Sequence, residues 1–272
     1  MDRDTRRLAR AADATVVAEL LYAHADGGIG AVTVTPLVAD DRVVVALPFA
    51  DRVLAQELAE ADHVAMVLSD DRMALRGWEP LAVAARVDVD PDVEGHRFTD
   101  GFLDEELRKH PPSRVLADSL RDRRDNWWYL PRLLCRIIPT GGSRTIGPRN
   151  DPTTGVLAWV GADGLDVESV EVTDADEDSL RIRALSGREV HGSGEPALLF
   201  RHDYSQPDLE RRSQRHESGR LDGAALRDVT REGELVLPDP PGLLERVRRH
   251  HALSKACRRE LARARRGYPA GS

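Results

Sequence analysis

The chain of 272 residues has few cysteines, few aromatic residues and no long apolar run. Its two cysteines, Cys135 and Cys257, lie far apart and are too few for a disulfide framework, so we expect reduced thiols in a cytoplasmic protein. No segment approaches the roughly 18 apolar residues of a membrane helix, and the charged N-terminus lacks the apolar stretch of an export signal. We therefore expect a soluble protein without a membrane partner.

Several common catalytic signatures are also missing. Gly141–Ser143 and Gly192–Gly194 do not have the spacing of a nucleophile elbow. Gly27–Gly30 precedes a strand and does not match the dinucleotide-binding pattern. The chain has no HExxH motif, and the adjacent His250 and His251 lie on neighbouring helix faces, a poor arrangement for binding one metal ion. Nothing here indicates a serine hydrolase, a Rossmann enzyme or a zinc protease.

Charge is distributed unevenly along the chain. The whole protein carries a formal net charge of -8, yet residues 242–267 contain nine basic and two acidic residues. A basic arm beside an acidic body predicts that the arm docks on its own body or on a second subunit. Binding to nucleic acid is the weaker alternative, and we do not expect it.

Residues 29–89 predict an antiparallel meander that one short helix interrupts. Arg52–Ala61 has helical spacing, and Asp51 is placed to cap its first turn. Around it lie four runs rich in β-branched residues and bounded by Gly, Pro or Asp, which predict strands at Ile29–Val38, Arg42–Leu47, His63–Ser69 and Ala82–Val89. The order is strand, turn, strand, helix, strand, turn, strand.

Helices are predicted on both sides of this meander. Apolar residues at helical spacing predict one over Thr5–His24 and a second over Gly95–His110. Ser113 is placed as the N-cap of a shorter helix, and Arg121–Asn126 is a charged connector. A stiff proline-rich segment, Pro238–Gly242, precedes a long amphipathic helix at the C-terminus.

The second half of the chain predicts further strands after a linker. Gly141–Ser143 and Gly147–Pro152 have the composition of an interdomain linker, and Tyr204–Gly223 that of a loop with one helical piece. A faint repeat relates this half to the first, but Ser186–Pro196 is too rich in glycine to form the short helix. Four strands are predicted, at Val156–Val160, Leu165–Val172, Leu180–Leu185 and Ala197–Phe200.

Four stretches carry a resemblance to a known family. They are Val34–Val38, Asp51-Arg52 at the start of the helix, Glu60–Ser69 and Trp127–Arg132. Their order and spacing resemble the FMN-binding split-barrel family, the fold of pyridoxamine 5'-phosphate oxidase and its relatives. The likeness covers about half of the chain closely and the remainder loosely. The C-terminal sequence Arg265–Ser272 does not match the substrate segment of the true oxidases, so we do not expect that activity.

The resemblance and the repeat together predict a mainly β protein with flanking helices, of the α+β class. We expect a split β-barrel domain over residues 1–145, a second, degenerate barrel-like domain over 146–237, and a basic C-terminal helical arm over 238–272. In this family the flavin usually sits where two barrels meet. The cofactor site would then lie between the two subunits of a homodimer or between the two halves of this chain.

The resemblance also implies site residues. Arg52 matches the basic residue that contacts the cofactor phosphate, at a helix start that itself favours an anion. Thr33 and Thr35 match the strand that lines the flavin, and we expect both on one strand face; threonine is also simply a good strand former. The chain departs from the family at Leu47-Pro48, where relatives often place a hydroxyl residue.

Three further residues are candidates. Ser69 and Arg76 flank the predicted third and fourth strands, near the place where the family closes the cofactor site; residues at such positions are more often simply turn residues. Trp128, between Trp127 and Tyr129, could stack against a flat ring or be a core or dimer contact.

By resemblance the protein binds FMN, or alternatively a deazaflavin, and transfers a hydride to or from an unidentified small molecule. The sequence names no catalytic acid or base. A non-catalytic binding or assembly module is one alternative. A haem-binding or haem-degrading relative is another, in which His24, His63 or His202 could ligate the iron.

Overall fold

The computed structural model describes residues 3–161 and 164–267. None of the helices in these two ranges is long and apolar enough to cross a bilayer. The helices are α1 (Arg3–Asp13), α2 (Arg52–Glu60), α3 (His96–Gly101), α4 (Leu103–Lys109), α5 (Arg114–Ala117), α6 (Leu120–Asp125) and α7 (Leu243–Gly267), with 3-10 turns at Phe49–Asp51, Pro111–Ser113 and Trp127–Tyr129.

The first sheet is a split barrel. Its strands are β1 (Ala18–Ala23), β2 (Ile29–Val34), β3 (Pro36–Ala39), β4 (Arg42–Pro48), β5 (His63–Leu68), β6 (Leu81–Asp92) and β7 (Arg132–Thr145). They are ordered β2-β1-β5-β6-β7-β4-β3, and neighbours are antiparallel. The two edge strands, β2 and β3, are separated in the chain by Thr35 alone, so the sheet must curl until its edges are adjacent. The predicted split barrel with flanking helices is confirmed.

The second sheet closes on itself. Its strands are β8 (Gly155–Gly161), β9 (Gly164–Ala175), β10 (Ser179–Ala184), β11 (Gly192–Tyr204), β12 (Arg212–Gly223) and β13 (Ala225–Glu234). The order β10-β13-β12-β11-β8-β9 forms a closed barrel around an apolar core that includes Leu157, Ile182 and Leu199. Residues 185–191, between β10 and β11, contain no helix, as the degenerate repeat predicts. The domain boundaries themselves stay a prediction.

Two predictions about the first strands are wrong. The helix expected over Thr5–His24 ends at Asp13, and its second part is β1. Strand β1 pairs with β2 on one side and β5 on the other, and every one of its residues is buried. A strand buried on both faces has no alternation to separate it from a buried helix. The run Ile29–Val38 is not one strand either, because Thr35 divides it into β2 and β3.

Two predicted irregular segments are strands. Gly141–Ser143, expected in a linker, lies within β7 and pairs partly with β6. Most of Tyr204–Gly223, expected as a loop with a helical piece, is the end of β11 and all of β12. Strand β12 is mostly polar because one side of the barrel wall faces solvent. A charged strand has the same composition as a charged loop, so the sequence pattern predicted a loop here. The helical arm is observed through Gly267, and residues 268–272 of the prediction lie outside the described residues.

A helical lobe formed by α3–α6 and the turns beside them covers the outer face of β3, β4 and β7. Its apolar contacts include Phe98, Leu103, Leu107 and Trp128 against strand residues such as Val44. The C-terminal half of α7 packs beside the lobe, and Cys257 and Leu261 are fully buried there. The N-terminal half differs, since residues 242–252 are all exposed. Helix α7 therefore buries apolar side chains mainly through its C-terminal half.

The two barrels meet across an apolar layer that surrounds a buried ion pair. Phe200 and Leu198 of the second barrel pack with Leu21 and Val67 of the first. Arg149, in the connection between the barrels, donates from Nη1 to Glu19 Oε1, and both side chains are at most 1% exposed. A buried carboxylate without its cationic partner is costly. The pair therefore holds the connection against β1.

We predict that Arg149→Met lowers the free energy of unfolding by about 3–5 kcal/mol, because it leaves Glu19 buried and charged without a counter-ion. Urea-induced unfolding measures the change. The matched control is Arg183→Met, which removes an ion pair with Glu171 in which the arginine side chain is 70% exposed, so its loss should change the free energy of unfolding far less. Equal losses in the two variants would contradict the prediction.

Candidate functional site

Arg52 lies in the first turn of α2, where it contacts α7. Its Nε donates to Glu260 Oε2 at 3.1 Å, and Arg259 and Arg263 bind the other oxygen of the same carboxylate. Burial would raise the pKa of Glu260, but the three guanidinium groups lower it overall. The predicted cap is absent, since the Asp51 side chain makes no hydrogen bond to α2. The anion bound to Arg52 is therefore a carboxylate of α7, and its role in phosphate binding stays a prediction.

Arg52 and Arg263 also line a cleft of about 350 Å³. The floor of this cleft is apolar and includes Phe49, Val89 and Leu133. A concave surface thus exists beside the predicted phosphate-binding residue.

The predicted flavin-lining threonines do not share a strand face. Thr33 is in β2 opposite Glu19, whereas Thr35 is the joint between β2 and β3, and both are partly buried. Arg76 is exposed in the connection between β5 and β6 and has no hydrogen bond or ion pair to any described residue. The role of these three residues at a cofactor site stays a prediction.

Ser69 belongs to the buried junction of the two barrels. Its hydroxyl donates to Glu19 and contacts Arg149 Nη1 at 3.3 Å. His202 completes this cluster with Nε2 2.8 Å from Glu19 Oε1, and both side chains are fully buried. Burial, followed by the charge of Arg149, lowers the pKa of His202, so the ring is neutral and Nε2–H donates to the carboxylate. The cluster therefore joins the barrels through polar contacts and leaves no open space around Ser69.

Trp128 is a core residue, in agreement with the core alternative in the sequence. It is 1% exposed and packs edge-to-face on Tyr129, with ring centroids 6.0 Å apart. On its other side it contacts His250 of α7 at 5.4 Å between centroids. Its neighbour Trp127 is 44% exposed and lies beside Arg258 and Arg265. The aromatic cluster thus seats α7 on the helical lobe.

A large concave surface lies between the exposed half of α7 and the helical lobe. This α7 groove has a volume of about 870 Å³, within the roughly 300–1,000 Å³ typical of small-molecule sites. Its apolar lining comes from α5, α7 and two loops, and includes Val115, Leu116, Leu209, Pro241, Val247 and Leu253. None of the six predicted site residues is among the described residues that line it. The groove can hold a large, mainly apolar ligand.

One cation in the α7 groove has no counter-ion. Arg246 is paired with Glu210 and Arg249 with Glu245. Arg212, at the start of β12, makes no hydrogen bond or ion pair through its side chain with any described residue. Its guanidinium is therefore free to bind an anionic group of a ligand.

A buried relay reaches the same groove from the helical lobe. Glu106 of α4 accepts hydrogen bonds from Ser113 Oγ at 2.6 Å and Tyr129 Oη at 2.7 Å, and Arg132 Nη2 lies 3.2 Å away. Burial would raise the pKa of Glu106, but Arg132 and the two hydroxyls lower it overall, so the carboxylate is ionised. Ser113 was predicted as an N-cap. It does stand at the N-cap position of α5, but its hydroxyl is engaged by Glu106 and makes no capping hydrogen bond.

His110 lines the groove at the end of this relay. Its Nδ1 is 2.9 Å from Ser113 Oγ. Because the serine gives its only proton to Glu106, Nδ1–H must be the donor of this bond, which leaves the lone pair on Nε2. Burial, followed by the positive charge of Arg212, lowers the pKa of His110 to about 4. The imidazole is therefore neutral at physiological pH, and Nε2 has no partner among the described residues.

Sequence reasoning missed both His110 and Arg212. His110 stood at the end of a predicted helix, and its only signal was the Pro111-Pro112 pair that turns the chain beside it. Arg212 fell within a segment expected to be a charged loop. The two meet because α4 and β12, about a hundred residues apart in the chain, are brought to one groove. The predicted residues, in contrast, are divided between the barrel junction, the α2 cleft and the core.

The strand order and the joint at Thr35 define the class: this is a split-barrel protein whose chain continues into a closed barrel. No protein-family model and no curated protein sequence matches the chain.

Similarity is found among solved structures. HutZ, a haem storage protein from Vibrio cholerae, is 12% identical over 53% of this chain and 95% of its own, with a TM-score of 0.36. An FAD-binding protein from Mesorhizobium loti is 18% identical over 50% and 88%, with a TM-score of 0.31. A haem-binding protein from Mycobacterium smegmatis is 14% identical over 96% and 98%, also with a TM-score of 0.31. At these values we transfer neither a ligand nor an activity.

The neutral, buried His202 predicts a pH dependence of stability. Unfolded histidine binds a proton below about pH 6.5, whereas folded His202 resists protonation, so the free energy of unfolding should fall as the pH drops below that value. His202→Gln should reduce the slope of this fall. Because one histidine binds at most one proton, the slope should decrease by at most about 1.4 kcal/mol per pH unit. Urea unfolding between pH 8 and about pH 5 measures it. Parallel curves for the two proteins would contradict the neutral assignment.

Proposed function

We propose that this protein binds a cofactor of the flavin or haem class in the α7 groove. Such a cofactor is large, flat and mainly apolar and carries phosphate or carboxylate groups. The α7 groove offers matching chemistry, with apolar side chains from three directions and an uncompensated guanidinium at Arg212. The observation that carries the proposal is this combination of about 870 Å³ of mostly apolar space with one unpaired cation.

The exposed half of α7 supports binding in this place. Val247 is 65% exposed although it lines the groove, so a ligand there would cover apolar surface that the protein leaves in contact with water. The proposal therefore uses the groove, the free arginine and the exposed apolar surface of α7 together.

We predict that Arg212→Met weakens the binding of FMN and of haemin by about tenfold to a hundredfold, the usual size of a lost hydrogen bond to a charged group. Fluorescence or absorbance titration of the purified protein measures the affinity. Riboflavin, which lacks the phosphate, should bind both proteins equally.

The matched control for this prediction is Arg246→Met. Arg246 lines the same groove but is already neutralised by Glu210, so its loss should change affinity by much less. Equal effects of the two substitutions would place the cofactor acid elsewhere. Absence of binding by FMN, deazaflavin and haemin alike would leave the non-catalytic module as the function.

A second candidate is the flavin- or deazaflavin-dependent oxidoreductase that the resemblance implies. The observation that favours it is the apolar cleft beside Arg52 and Arg263, where a phosphate could replace the Glu260 carboxylate. Hydride transfer would then be supplied by the flavin, and the protein would provide the phosphate contacts and the orientation.

For this second candidate, Arg52→Ala should weaken FMN binding by about 1.5–3 kcal/mol, and Glu260→Gln should strengthen it because the competing carboxylate is neutralised. Isothermal titration with FMN tests both variants. Unchanged affinity in Arg52→Ala removes Arg52 from the site. The visible spectrum of the purified protein then separates a flavin band from the Soret band of haem.

A further inference from the structure

His110 combines two geometric properties in a side chain that lines the groove. Its tautomer is set by Ser113, and Nε2 is left without a partner among the described residues. The relay behind it, through Ser113 to the ionised Glu106, is anchored by Arg132 and Tyr129. A histidine whose second nitrogen is held in this way by a hydrogen bond is the arrangement that orients metal-ligating imidazoles.

The groove around His110 does not suit a bare metal ion. The described residues contain no cluster of three or more His, Cys, Asp or Glu side chains that could hold one. The nearby unpaired Arg212 repels a dication. A metal bound here by one imidazole, beside a cation, must therefore bring its other ligands with it. Those ligands must also carry negatively charged groups.

A metalloporphyrin with carboxylate side chains meets these requirements. Its macrocycle supplies four ligands and leaves an axial position open, its face is apolar, and its carboxylates can pair with Arg212. We propose that His110 Nε2 is the axial ligand of the metal in a metalloporphyrin bound in the α7 groove. This inference rests on the proposed function of the groove and selects haem over flavin as its occupant.

The experiment compares two ligands of the same shape and charge. Haemin and metal-free protoporphyrin IX are titrated separately into wild-type protein and His110→Ala, and binding is followed by absorbance and by tryptophan quenching. We expect His110→Ala to weaken haemin binding at least about tenfold and to shift its Soret band, while protoporphyrin IX affinity changes less than about twofold. Added imidazole should restore the wild-type haemin spectrum to the variant.

Two further variants sharpen the test. His251→Ala removes the neighbouring exposed imidazole of α7, which is not among the described residues that line the groove, and should leave the haemin spectrum unchanged. His110→Gln retains a hydrogen-bond donor toward Ser113 and should lose the axial ligand even if the alanine variant folds poorly.

The possible failures are distinguishable. If neither porphyrin binds the wild-type protein, this inference fails, and the proposed function fails with it only if FMN and deazaflavin do not bind either. If both bind but His110→Ala and His110→Gln leave the haemin spectrum and affinity unchanged, His110 is not the ligand. An equal loss for haemin and protoporphyrin IX also overturns the inference, since it would mean that His110 contributes shape alone.

Discussion

The buried ion pair between Glu106 of α4 and Arg132 of β7 determines how the helical lobe sits on the split barrel. Arg132 is stacked between the rings of Phe98 and Tyr129, 4.2 and 3.8 Å from their centroids, so the cation is held from two sides while it meets the carboxylate. Removing either partner would leave an isolated buried charge. Lys109, one turn further along α4, donates to the backbone carbonyls of α1 and β3. Helix α4 is thereby fixed at its centre and at its C-terminal end, and His110 follows it directly.

Helix α7 gives the molecule its second structural constraint. Its C-terminal half is held by apolar contacts at Cys257 and Leu261 and by the convergence of three arginines on Glu260, which also engages the start of α2. Its N-terminal half is exposed and forms one wall of the groove. The same helix thus covers the cation expected to hold a flavin phosphate and opens the space in which a larger cofactor fits. Under the proposed function, the choice of cofactor would depend on α7 more than on the barrel wall.

The periodic parts of the fold could be predicted, and the parts fixed by context could not. Strands β4, β5 and β6 and helix α2 were found because β-branched runs and helical spacing are local signals. Strand β1 was taken for helix because it is buried on both faces, and β12 was taken for loop because its polar residues belong to a barrel wall. Among the site residues, Arg52 was placed correctly at a helix start beside a cleft. The contact between Arg52 and Glu260, more than two hundred residues away in the chain, has no local signal in the sequence.

The amino-acid sequence by itself determined the fold class, because alternation, turn residues and the strand–helix–strand order are properties of neighbouring residues. It also determined that charge is concentrated in a basic C-terminal helix. Only the tertiary structure decided which side chains share a site. His110 and Arg212 meet in one groove, and Ser69 is enclosed between two barrels, because distant segments pack together. Spacing along the chain does not encode which partner neutralises a charge or which nitrogen keeps a free lone pair. Both are decided by contacts between distant segments.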